Sequence, residues 1–135
     1  MNLIVKGMPD NLARRKLFRS VDFFRNEINF YTKIVPAWEE FQNKRKPKNP
    51  FTEYPICYAS LCDGENDFIA LQDVSFLGYG APNRQDYITL DECLLTMRTM
   101  GRFHGISLAF HALEPEHFEK AALNLEVSIY TVFGI

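Results

Sequence analysis

The chain has 135 residues, enough for one domain and one core but short of a large two-lobed enzyme. Hydrophobic residues make up 47% and charged residues 24%, which places it among globular soluble domains, and a net charge of −2 gives no overall field favouring nucleic acid or an anionic membrane. The cysteines, Cys57, Cys62 and Cys93, are odd in number and have no Cys/His pair at zinc spacing, so no disulfide framework or zinc site is expected.

Residues 2–6 read as a strand, and Gly7 to Asn11, with Pro9, as a turn. A strand that opens this early needs neighbours, and its preceding partners are expected to lie outside the chain. There is no h-region of signal-peptide length and no apolar stretch of membrane-span length, so a soluble cytoplasmic protein is expected. Residues 12–19 carry Arg14, Arg15, Lys16 and Arg19 and read as a solvated loop or short helix. Ser20 fits an N-cap with Asp22 in the first turn, opening a helix to about Gln42 that Pro36 should kink or split. Residues 43–55 are polar, basic and proline-rich, which predicts a solvated loop whose cations are the alternative candidates for holding a phosphate or a nucleic acid strand.

Residues 56–61 and 68–71 read as two strands of a hairpin turned by Asp63-Gly64-Glu65-Asn66. The second strand ends at Gln72-Asp73-Val74, and Ser75 to Tyr87 reads as a loop. Thr89-Leu90-Asp91-Glu92 fits a capping box opening a helix to about Ala112. On it Leu94, Met97, Gly101, His104, Leu108 and His111 form one stripe, with Gly101 allowing close approach of a neighbour. Pro115 starts a last helix with Phe118, Ala122, Leu125 and Ile129 on its buried face.

Glu27 is the residue out of place. At about 100° per residue it shares a face with Phe23, Tyr31, Ile34, Trp38 and Phe41. An unpaired buried carboxylate costs several kcal/mol, so Glu27 must be partnered, protonated or at the stripe's edge. The candidate partner lies upstream in Lys6, which alternates with Ile4 and so leaves the strand on the core side. Such a strand lysine and helix glutamate position phosphates in kinase-type N-lobes. The other reading of Lys6 is a strand end that snorkels to water. Gln72, Asp73 and Val74 read either as a hinge whose backbone groups recognise adenine or as an ordinary strand end. Gly78-Tyr79-Gly80 has neither the third glycine nor the strand-to-helix junction of a phosphate cradle. His104-Gly105-Ile106 lacks the aspartate of a catalytic loop, so His104 and His111 read as helix-face residues, and Cys93 as core.

These residues resemble a known family. Leu3-Ile4-Val5-Lys6, Phe24-Arg25-Asn26-Glu27-Ile28-Asn29-Phe30-Tyr31 and Ile34-Val35-Pro36 are similar to the ecdysteroid kinase-like (CHK kinase-like) family of arthropods. Pro55-Ile56-Cys57-Tyr58, Ile69-Ala70-Leu71-Gln72-Asp73-Val74, Gly78-Tyr79, Arg84, Gly101-Arg102-Phe103-His104 and Ser107-Leu108-Ala109 extend the likeness over nearly the whole chain. The resemblance implies an α+β, protein-kinase-like fold of the aminoglycoside phosphotransferase type. Residues 1–74 would form part of the N-lobe and the hinge, and 75–135 the first helices of the C-lobe. It implies ATP with magnesium as cofactor, a small hydroxylated molecule such as an ecdysteroid as phosphoryl acceptor, and no nucleic acid or membrane partner. Lys6, Glu27, Gln72, Asp73 and Val74 would bind the nucleotide, with Gln72 replacing the family's usual acidic residue. The catalytic His-Gly-Asp loop and the Asp-Phe-Gln metal motif are not among these residues, so the chain is expected to be an incomplete family member, inactive alone. The alternative is a non-catalytic binding module derived from a kinase N-lobe.

Overall fold

The computed structural model describes residues 2–9, 11, 15, 20–81, 85, 87–123 and 125. Strand β1 (Leu3–Gly7) is followed by helix α1 (Ser20–Asn29), a π-helical turn (Phe30–Ile34) and helix α2 (Val35–Arg45). Strands β2 (Cys57–Leu61) and β3 (Phe68–Gln72) come next, then a 3₁₀ turn (Val74–Leu77), a long helix α3 (Leu90–Leu113) and a short helix α4 (Pro115–Ala122). The architecture is α+β, as the sequence predicts. Most of the basic segment 12–19, as well as Arg84 and Ile129, lies outside the described residues.

The sheet has the order β1-β3-β2, both pairings antiparallel. The apolar run Phe68-Ile69-Ala70-Leu71 takes the centre because a strand flanked on both sides loses most water from its side chains. The β2–β3 turn is built by two aspartates. Asp63 Oδ1 accepts from the N–H groups of Glu65 and Asn66 at 2.8 and 2.6 Å, and Asp67 Oδ1 accepts from Gly64 N–H at 2.7 Å. Gly64 sits at φ +86°, a region open to glycine at no steric cost.

Two cores form. Ile28, Ile69 and Leu71, with Tyr31 and Cys57 against them, join α1 to the sheet. The larger core, Ile34, Ala37, Trp38, Phe41, Phe51, Ile106 and Phe110, joins α2 to α3, with Phe30, Phe103 and Phe118 packed on it. The π turn separates the two faces. Pro36 has no N–H, and in a regular helix its ring would crowd the carbonyl of Thr32 four residues back. The wider π turn relieves this, with Val35 N–H donating five residues back to Phe30 and Thr32 Oγ1 donating to Ile28 carbonyl at 2.8 Å.

The structure departs from the sequence expectations in how the helical faces are buried. The split expected from Pro36 takes the form of the π turn just before it, and the proline sits in the first turn of α2, where its missing N–H costs nothing. The extra residue turns the following face by about 100°, so the single apolar stripe around Glu27 is split, and Phe23 is 59% exposed. On α3 the capping box forms as expected, with Thr89 Oγ1 accepting from Glu92 N–H and the Glu92 carboxylate accepting from Thr89 N–H. Yet the stripe read from its period is solvent-facing: Leu94, Met97 and Leu108 are 52%, 65% and 69% exposed, and among the described residues nothing approaches Gly101. Ile106 and Phe110 are the buried residues of that helix. Cys93 lies on its exposed side, not in the core.

Candidate functional site

The register of the sheet decides where Lys6 points. Ile4 stands opposite Leu71 and Lys6 opposite Ile69, and Ile69 and Leu71 are the residues on which α1 packs through Ile28. Alternation therefore sends Ile4 and Lys6 out of the sheet on the α1 side. Glu27 precedes Ile28 on the helix and lies at the rim of that contact. Lys6 Nζ donates to Glu27 Oε1 at 2.5 Å. The two side chains keep 49% and 30% of their surface exposed, so the pair is accessible from solvent. An ion pair this exposed contributes about 0–1 kcal/mol to stability, too little for a purely structural purpose to be compelling.

Tyr31, one turn after Glu27, completes the local arrangement. Its hydroxyl is pushed above the ordinary tyrosine value, first by burial and then by the Glu27 carboxylate and by Cys57. The sequence reading counted Tyr31 only as core. Its i+4 spacing from Glu27 was the signal that the two side chains would be neighbours.

The segment Gln72-Asp73-Val74 lies at the far end of the β1–β3 ladder from Lys6, three residues or roughly 10 Å along the strand. Much of its polar capacity is already used. Gln72 N–H donates to Ile56 carbonyl at 2.7 Å, and Gln72 Oε1 accepts from Ile56 N–H at 3.3 Å, so this side chain anchors the approach to β2. Asp73 N–H donates to Asn2 carbonyl at 3.2 Å. Its carboxylate accepts from Ser75 N–H at 2.9 Å, caps the 3₁₀ turn and is held below the usual aspartate value by the Ser75 side-chain and backbone hydrogen bonds. Val74 begins that turn.

The other candidate cations are paired as well. Lys44 pairs with Glu40 at 2.7 Å, and Arg45 pairs with Glu114 at 2.7 Å while stacking over the Phe41 ring at 4.2 Å. Arg102 pairs with Glu53 and donates to Pro50 carbonyl at 2.8 Å. Together with Lys48, Asn49 and Thr52 these last three residues line a shallow cleft. Of the cations of the basic loop region, Lys44 and Arg45 are thus matched by carboxylates. His104 and His111 are exposed residues of α3. Cys57, Cys62 and Cys93 are free thiols, and burial pushes those of Cys57 and Cys62 upward.

Among the described residues no three His, Cys, Asp or Glu side chains converge as metal ligands. No helix of the described residues is long and apolar enough to cross a membrane. No curated protein and no solved structure matches the chain. The model of the ecdysteroid kinase-like family matches residues 1–132. That match covers nearly the whole sequence, including both members of the Lys6–Glu27 pair and the segment that closes β3, and the chain therefore belongs to the ecdysteroid kinase-like family.

Proposed function

We propose that this chain carries the nucleotide-binding part of an ATP-dependent kinase acting on a small-molecule hydroxyl, with an ecdysteroid as the acceptor that the family's name suggests. The observation that carries this reading is the Lys6–Glu27 contact, bridging a strand and a helix and open to solvent. A lysine ammonium held by one carboxylate keeps donors free for a second anion. It is therefore suited to the oxygens of a polyphosphate, with Glu27 fixing its direction. Residues 72–74 sit at the other end of the same ladder, where a base would lie if the phosphates rest on Lys6. Because the Gln72 and Asp73 N–H groups are engaged inside the fold, the reading assigns base recognition there to Val74 and to the segment's carbonyls.

Magnesium would screen the phosphate charge when bound, but the described residues supply no ligand cluster for it. Nor do the 135 residues contain the family's His-Gly-Asp loop or Asp-Phe-Gln run, so transfer by this chain alone is expected to be undetectable. Binding is where the reading is tested. Titration with ATP and magnesium, followed by calorimetry, should show saturable binding that falls at least tenfold in Lys6→Ala. Equal affinity in the two proteins would sink the proposal.

A second reading, a binding module without catalysis, is favoured by the exposed apolar stripe of α3 at Leu90, Leu94, Met97 and Leu108. The same titration separates the two readings, because such a module has no reason to respond to Lys6→Ala.

A further inference from the structure

The helical segment between the two cores holds a device that the nucleotide-binding reading does not use. Regular α-helix from Ser20 to Arg45 would put Glu27, Tyr31, Trp38 and Phe41 on one face. The structure divides them: Ile28 and Tyr31 pack on the sheet, and Trp38 and Phe41 on the core shared with α3. The π turn at Phe30–Ile34 adds the one residue that makes both packings possible at once, and Pro36 sits just beyond it.

We infer that the π turn, propped open by Pro36, sets the rotation of α1 that aims Glu27 at Lys6. Three observations support this. A regular turn at this point would drive the Pro36 ring towards the Thr32 carbonyl. The Thr32 hydroxyl caps the Ile28 carbonyl at 2.8 Å, directly after Glu27. The two cores are also unequal. Seven buried residues hold the α2 end and three hold the α1 end. If the turn closed to α-helix, the α1 end would be the one to rotate. A rotation of about 100° at a side-chain radius of about 5 Å moves the Glu27 carboxylate roughly 8 Å, well beyond contact with Lys6. The turn is thus a phase-setting element, and closing it would release the pair. This concerns the geometry of the pair and stands whether or not the pair binds nucleotide.

The test uses a zero-length carbodiimide, which joins a lysine amine to a touching carboxylate as an amide with loss of water to the reagent. Mass spectrometry of the digested full chain reads the Lys6–Glu27 link. The Lys44–Glu40 link, four residues apart on α2 and indifferent to the phase, is the internal standard. In Pro36→Ala the Lys6–Glu27 yield should fall at least tenfold relative to the standard. Deleting Thr32 from Pro36→Ala removes the extra residue, restores both faces in regular helix and should bring the yield back. An unchanged link in Pro36→Ala, or no recovery on deletion, overturns the inference. Should Pro36→Ala not fold, two other chains decide the matter: Pro36→Ala lacking Thr32, and the parent chain with one alanine inserted at Thr32. The first should keep the link and the insertion should abolish it, and any other pattern refutes the phase-setting role.

Discussion

Gln42 shows how one side chain closes a loop. Its amide nitrogen donates to Phe51 carbonyl at 3.1 Å and its amide oxygen accepts from Phe51 N–H at 2.5 Å, both away from water. Loop 46–50 is thereby cinched onto α2, and Phe51 enters the aromatic cluster beside Trp38 and Phe103. Gln42→Leu keeps the volume but strands two buried backbone groups, at roughly 1–3 kcal/mol each. A urea midpoint that drops in Gln42→Leu and holds in Asn43→Leu, one residue on and exposed, is the expected result; equal midpoints would show that the amide pairing contributes nothing. At this same scale the candidate site was partly legible. Glu27 stood out because a carboxylate conflicts with an apolar period, and Lys6 was the upstream cation on a core-facing register. The uses of Gln72 and Asp73 were not legible, since their hydrogen bonds run to Ile56 and Asn2, distant in sequence.

Helix α3 shows what local signals settle and what they leave open. Its start was readable because a capping box is contained in four consecutive residues. Its buried face was not, because Ile106 and Phe110 are selected by partners on α2 and α4, while Leu94, Met97 and Leu108 have the same apolar chemistry and no cover among the described residues. The first half of the helix therefore depends on its cap more than on packing. Thr89→Ala should weaken that end by about 1 kcal/mol and raise amide exchange over residues 90–94 roughly fivefold, with Glu92→Gln retaining most protection. If exchange there is unchanged in Thr89→Ala, packing and not the cap holds the helix start. The single apolar stripe expected after Ser20 is broken for a different reason. Periodicity assumes one uniform spiral, and a single π turn breaks that assumption while leaving the composition untouched.

Across the molecule, Glu114 ties three helices together at the junction of α3 and α4. Its carboxylate contacts His117 Nδ1 at 2.9 Å and Arg45 Nη1 at 2.7 Å, with Lys44 nearby. The hydrogen bond from His117, and then that from Arg45, hold it down at about 2 against an ordinary 4.5. A carboxylate depressed in the folded state stabilises above its unfolded value and loses that contribution as pH falls towards the folded one. Stability should therefore decline between about pH 4.5 and 2, and Glu114→Gln should flatten that part of the denaturant-midpoint profile. Identical acid profiles for the two proteins would remove Glu114 from the account. The wider comparison of sequence and structure follows the same division. The sequence by itself determined the α+β class, the strands, the capped helix, the family and the suspicion attached to Lys6 and Glu27, because each is written in neighbouring residues, in a period or in a run of shared motifs. Tertiary structure alone decided which apolar faces are buried, how the helix is rephased before Pro36 and that Lys6 meets Glu27 across twenty-one positions, because these depend on which surfaces exclude water from one another.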